Sequence, residues 1–125
     1  MPATTPDSSY GVRCIPVSAK MGRRIASGEE KGVGMVPGMA VAVKSPDLKN
    51  VYFVAVQFKV SGVAETQMGV WAVSKSVKAD TRRRIMAVDG SARHFTGWPH
   101  PLYPSVDIRR RVNSTVGDST ACLLK

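Results

Sequence analysis

The stretch 50-NVYFVAVQFKV-60 decides the fold. β-Branched and aromatic residues crowd it, neither proline nor glycine interrupts it, and its only interior polar residues are Gln57 and Lys59, so it reads as a strand. Period two places Tyr52, Val54, Val56, Phe58 and Val60 on one face. Val51, Phe53, Ala55, Gln57 and Lys59 share the other, which grows polar toward its C-terminal end. A strand apolar on one face and largely so on the second belongs in the middle of a sheet, with its second face partly covered.

Working outward, 38-GMAVAVKS-45 is a strand before it, separated by the turn SPDLKN. After it come 67-QMGVWAVSK-75 and 82-RRRIMAVDG-90, reached through SGVAET and SVKADT. No helix-sized segment lies between these strands to make a parallel crossover, so an antiparallel meander follows. Upstream, Val17, Met21 and Ile25 in 14-CIPVSAKMGRRIASGEE-30 form a helical stripe, with Pro16 in the first turn and Gly28 as a stop. The segment 28-GEEKGVGMVPG-38 is loop by composition. Downstream, 91-SARHFTGW-98 reads as a short helix with Ser91 as N-cap and Phe95 inward. Proline-rich 98-WPHPLYP-104 is extended or looped. From Ser105, a last helix carries Ile108, Val112, Val116, Ser119 and Leu123 on one face, with Asp107 in its first turn favouring the dipole. Gly117 weakens that helix by roughly 1 kcal/mol relative to alanine.

The expected fold class is therefore α+β: a four-stranded antiparallel meander packed by the N-terminal and C-terminal helices, both against one face. Residues 1–12, rich in Pro, Thr and Ser, read as a flexible tether, and 13–125 as a single domain. A length of 125 residues suits one domain, and 43% hydrophobic residues suffice for a core. No run approaches the ~20 apolar residues that span a bilayer. The opening MPATTPDSSYGVR contains no apolar signal core, so either the protein is cytosolic or an export leader has been removed.

Lysine and arginine outnumber acids 18 to 9, a net charge of +9. Such a field favours an anionic macromolecule or an acidic protein surface, without choosing among nucleic acid, lipid, glycan and protein. Arginines cluster at Arg23-Arg24, Arg82-Arg83-Arg84 and Arg109-Arg110-Arg111. Each can bind phosphate or carboxylate in bidentate fashion, and a convergence of all three would make one anion-binding surface. A solvated helix face is the plainer meaning of such a run.

Chemistry-bearing residues gather in 82-RRRIMAVDGSARHFTGWPHP-101, but no catalytic constellation emerges. Asp89-Gly90 is a turn signature, with Gly supplying positive φ and Asp bonding local N–H groups. Ser91, His94 and Asp89 are close in sequence but lack a nucleophile-elbow motif such as GxSxG. His94 and His100, the only histidines, have no companion ligands for a metal. The glycines match no phosphate-binding loop, so no cofactor is expected. Trp71 is mid-strand and core; Trp98, with His94 nearby, either anchors a partner or plugs the sheet edge.

Two cysteines, Cys14 and Cys122, lie near opposite ends of the chain. They are too far apart in sequence for a metal knuckle or redox CxxC, which leaves a domain-closing disulfide or two separate buried thiols.

Gly69-Val70-Trp71-Ala72, followed by Ala87-Val88-Asp89-Gly90 with Ala92, Phe95 and Trp98, and then a final helix with a cysteine near its end, resembles a group of small actinobacterial exported proteins and lipoproteins. The resemblance covers roughly residues 14–125. It implies that Cys14 and Cys122 form the disulfide, that residues 1–9 are what remains of a tether, and that the location is extracytoplasmic. It implies no catalytic residues, and this chain departs from its acidic look-alikes in being strongly basic. The expected function is an exported, non-enzymatic binding or accessory domain at a bacterial envelope. The alternative is a cytoplasmic nucleic-acid-binding protein.

Overall fold

The computed structural model describes residues 13–46, 48–74, 85–101 and 105–124. Among them are β1 (Ile15–Pro16), α1 (Ala19–Ala26), β2 (Val36–Lys44), β3 (Val51–Lys59), β4 (Gln67–Ser74), β5 (Ile85–Ala87), α2 (Gly90–Phe95) and α3 (Val106–Leu123). The strands form one antiparallel sheet in the order β1-β2-β3-β4-β5, so the meander and the central place of β3 are as expected.

The sheet has five strands rather than four. The extra one is β1, whose Ile15 and Pro16 pair with Ala42 and Val41 of β2. Pro16 thus lies in an edge strand, where a missing N–H is tolerated, and not in the first helical turn. The helix begins three residues later because Ser18 caps it, its Oγ accepting from Met21 N at 3.2 Å. β2 also starts earlier than expected, at Val36. It holds Pro37 and Gly38 through a register shift, on a stretch that β1 does not reach.

The larger correction concerns the helices, which cover opposite faces. The side chains of Ala42, Val54, Val56, Phe58, Trp71, Val73, Ile85 and Ala87 point to one side, where Met21 and Ile25 of α1 and Ala92 of α2 seal them. On the other side, Phe53, Ala55, Val70 and Ala72 are covered by Val112 and Leu123 of α3, with Ile108 and Val116 at the margin. The reason is visible in β3 and β4. Phe53 and Val70 would meet water if all the helices sat on one face, and burying such a side chain is worth about 1.5–3 kcal/mol. The result is a helix–sheet–helix sandwich.

α2 is fastened to β4 at both ends. Asp89, rather than Ser91, is its N-cap: one carboxylate oxygen accepts from Ala92 N at 2.9 Å and from Val70 N of β4 at 3.2 Å. At the far end, the fully buried Trp71 donates from Nε1 to Thr96 Oγ1 at 3.0 Å, and that hydroxyl donates to Ala92 O at 2.6 Å. Close approach needs Gly69, where a Cβ would lie 2.8 Å from the Trp71 ring and 3.3 Å from Ala92 N. Gly90 is not among the positive-φ residues, so it opens a helix and does not make a left-handed turn.

Thr96→Val keeps the shape but leaves the Trp71 N–H buried without an acceptor. Urea unfolding of this variant should show a loss of about 1–3 kcal/mol, most of it recovered by Thr96→Ser.

Candidate functional site

Two places invite a functional reading: the arginine-bearing helices and the sheet edge where the chain is covalently closed. Cys14 precedes β1, and Cys122 lies in the last turn of α3. They are joined by a disulfide across 108 residues of sequence, with Cα atoms 5.7 Å apart. The bond ties the outermost strand to the helix that covers the second face. In the chain-entropy view, closing a loop of about 100 residues stabilises the fold by up to ~4.7 kcal/mol.

Beside the disulfide lies an open groove of about 800 Å³. β1 and the two residues before it supply Arg13, Cys14, Ile15 and Pro16; β2 and β3 supply Val43, Lys44 and Tyr52; α3 supplies Thr115 and Asp118. Cys14 lies in the wall, so the staple holds the strand side against the helix side. Arg13 and Lys44 are exposed and Asp118 is half-buried. No ion pair joins Asp118 to either cation among the described residues. Sequence reasoning missed this place, because its charged groups are 31 and more residues apart in sequence and only the fold assembles them.

Among the described residues, the clustered arginines do not form one patch. Arg23 and Arg24 belong to α1 on one side of the sheet, and Arg109, Arg110 and Arg111 to α3 on the other. Arg82, Arg83 and Arg84 lie outside the described residues. Of the two in α1, Arg23 is exposed and Arg24 is half-buried, with its Nε shielded and lacking a hydrogen-bond partner. Within α3, all three are exposed. At ~100° per residue, they spread around the outer half of the helix. Arg110 approaches Asp107 at 3.8 Å, with both side chains more than three-quarters exposed, a contact of little energy.

Trp98 proves to be an internal fastener. Its Nε1 donates to Ile25 O, at the end of α1, at 2.8 Å, and its half-buried ring packs on the α1 side of the core. The indole lies so close to Gly28 that a Cβ there would overlap it. The backbone adds two bonds nearby: Glu30 N to Phe95 O at 2.9 Å, and Gly97 N to Gly28 O at 2.8 Å. His94 is exposed, its ring edge-on to Phe95 at 4.7 Å, and His100 is exposed in the following loop. Asp89, Ser91 and His94 therefore sit on a helix start whose carboxylate oxygen is already engaged by two N–H groups.

Among the described residues there is no cluster of three His, Cys, Asp or Glu able to hold a metal ion. Nor, among them, is any helix long and apolar enough to cross a membrane. The chain matches no known family model, no curated protein and no solved structure.

The geometry separates fasteners from displayed groups. Asp89→Ala should cost about 1–2 kcal/mol in denaturant unfolding, whereas His94→Ala should stay within about 0.5 kcal/mol of the parent.

Proposed function

We propose that this chain is an extracytoplasmic, non-enzymatic binding or accessory domain at a bacterial cell envelope, which meets an anionic macromolecule or acidic protein surface. The observation that carries the reading is the Cys14–Cys122 disulfide. Disulfides of this kind persist in oxidising compartments and are rare where glutathione and thioredoxin hold thiols reduced. The resemblance of Gly69–Ala72 and Ala87–Trp98 to small exported actinobacterial proteins points the same way.

The anion-facing surface is assigned to α3. Arg109, Arg110 and Arg111 are all exposed there, and Val106 beside them is 70% exposed, an apolar group on a basic face. Arg23 lies across the sheet and cannot join the same contact. The non-enzymatic part is supported by the internal duties of Asp89 and Trp98, two of the residues that first suggested chemistry.

A second reading, nucleic-acid binding in the cytoplasm, is favoured by the net charge of +9. It would use phosphate contacts, since among the described residues helices cover both faces of the sheet, where bases would otherwise stack.

Thiol titration of the protein denatured without reductant should find no free thiol; two would overturn the exported reading. Replacing Arg109, Arg110 and Arg111 together by glutamine should weaken retention on an immobilised polyanion, with a flatter salt dependence. Arg23→Gln should change it far less. Double-stranded DNA bound at ~50 mM salt, and lost steeply by ~200 mM, would instead favour the nucleic-acid reading.

A further inference from the structure

We infer that the Cys14–Cys122 bond is a redox latch: its reduction by a dithiol frees β1 from the sheet and opens the outer edge of β2, while both cores stay folded. The inference rests on the same bond as the exported reading, but concerns what the bond holds and not where it forms. Three observations carry it.

The first is how little else holds β1. The strand is two residues long, pairing Ile15 with Ala42 and Pro16 with Val41, and Pro16 has no N–H to donate. Neither core counts a β1 residue among its buried members; Ile15 packs at the margin of the α1 side, half-buried. Segments with few buried contacts and few backbone bonds are the ones that open locally. The rest of the fold does not run through β1. Met21 and Ile25 seal one core, Val112 and Leu123 cover the other, and α1 starts downstream of β1 at its own cap, Ser18.

The second is what β1 guards. β2 runs nine residues, Val36–Lys44, and its outer edge meets β1 at Val41 and Ala42. Among the described residues, no other backbone group bonds to β2 from that side. Its run 39-MAVAV-43 has neither charge nor proline. Such an edge invites an added strand, and a very short, proline-bearing outer strand is one way of blunting it.

The third is access. Cys14 is half-buried and lines the open groove, whereas Cys122 is only 9% exposed. A thiolate therefore meets the Cys14 sulfur. Its attack there breaks the S–S bond, and Cys122 leaves as a thiolate that takes up a proton. The reductant's second thiol then attacks the mixed disulfide, closing the reductant's own disulfide and releasing Cys14 as a thiol. The dithiol loses two electrons and two protons, and the two cysteines gain them.

The test compares three states of the full-length, nitrogen-15-labelled protein by amide shifts and backbone order parameters. They are the oxidised protein, the same protein reduced with dithiothreitol, and the double variant Cys14→Ser with Cys122→Ser without reductant. In both bond-free states, the order parameters of residue 14 and Ile15 should fall from the rigid value of about 0.85 to below about 0.6. Amide shifts should move in Val41–Lys44 and Thr120–Leu123. Those of Val54–Phe58, Val70–Val73 and Ala92 should keep their oxidised positions. Reoxidation of the reduced protein should restore the first spectrum.

Unchanged order at Ile15 would overturn the inference, because β1 would then hold without the bond. Loss of shift dispersion throughout would overturn it too, by making the bond a brace of the whole fold and not a latch on one strand. Either result leaves the exported reading standing, since that reading needs only that the bond exists. Two free thiols in the denatured, unreduced protein would instead remove both.

Discussion

The constraint on which everything else depends is that β3 and β4 are apolar on both faces. Val54, Val56, Trp71 and Val73 face one way, Phe53, Ala55, Val70 and Ala72 the other, and all eight are buried. Two sides of apolar surface need two covers. α1, with eight residues, reaches one side over β2, and α2 completes it over β4. The eighteen-residue α3 runs over β2 and β3 on the other side. The sandwich is thus a consequence of the central strands, and the helices follow from it.

Placing α3 on the far face has two consequences of opposite kind. It brings Cys122 to the edge where Cys14 enters the sheet, so the covalent closure spans both the chain and the layers. It also carries Arg109–Arg111 away from Arg23, which distributes positive charge around the body rather than focusing it. A distributed field attracts anionic partners from a distance but leaves each contact to a few side chains. The disulfide edge is different: there, β1 and α3 converge, and groups of both signs line one groove.

The segment from Asp89 to Trp98 shows how residues that look like chemistry can be structural. Asp89 holds two N–H groups, Thr96 relays between Trp71 and α2, and Trp98 donates to the Ile25 carbonyl in the last turn of α1. Each answers a requirement of burial. An indole N–H in the core must find an acceptor, and the ends of α1 and α2 must satisfy their free backbone groups. The glycines at 28 and 69 serve the same fastening, because each leaves room for an indole.

What the sequence determined by itself were the local periodicities and the class they build. Alternation in 50–60 revealed β3 and both of its faces, the 3.6-residue stripe of Ile108, Val112, Ser119 and Leu123 revealed α3, and the short turns between strands implied the antiparallel meander. Such patterns depend on which side of an element meets water, a property of neighbours in sequence. β1 escaped notice because two residues cannot show a period, and Ser18 and Asp89 as caps because competing serines and a proline stood nearby. Only the tertiary structure decided which face each helix covers, that the two sulfurs meet, that the arginine groups part, and that Arg13, Lys44 and Asp118 share a groove. Those outcomes come from closing both faces of one sheet with a single chain, a requirement that acts between residues far apart in sequence and leaves no periodic trace along it.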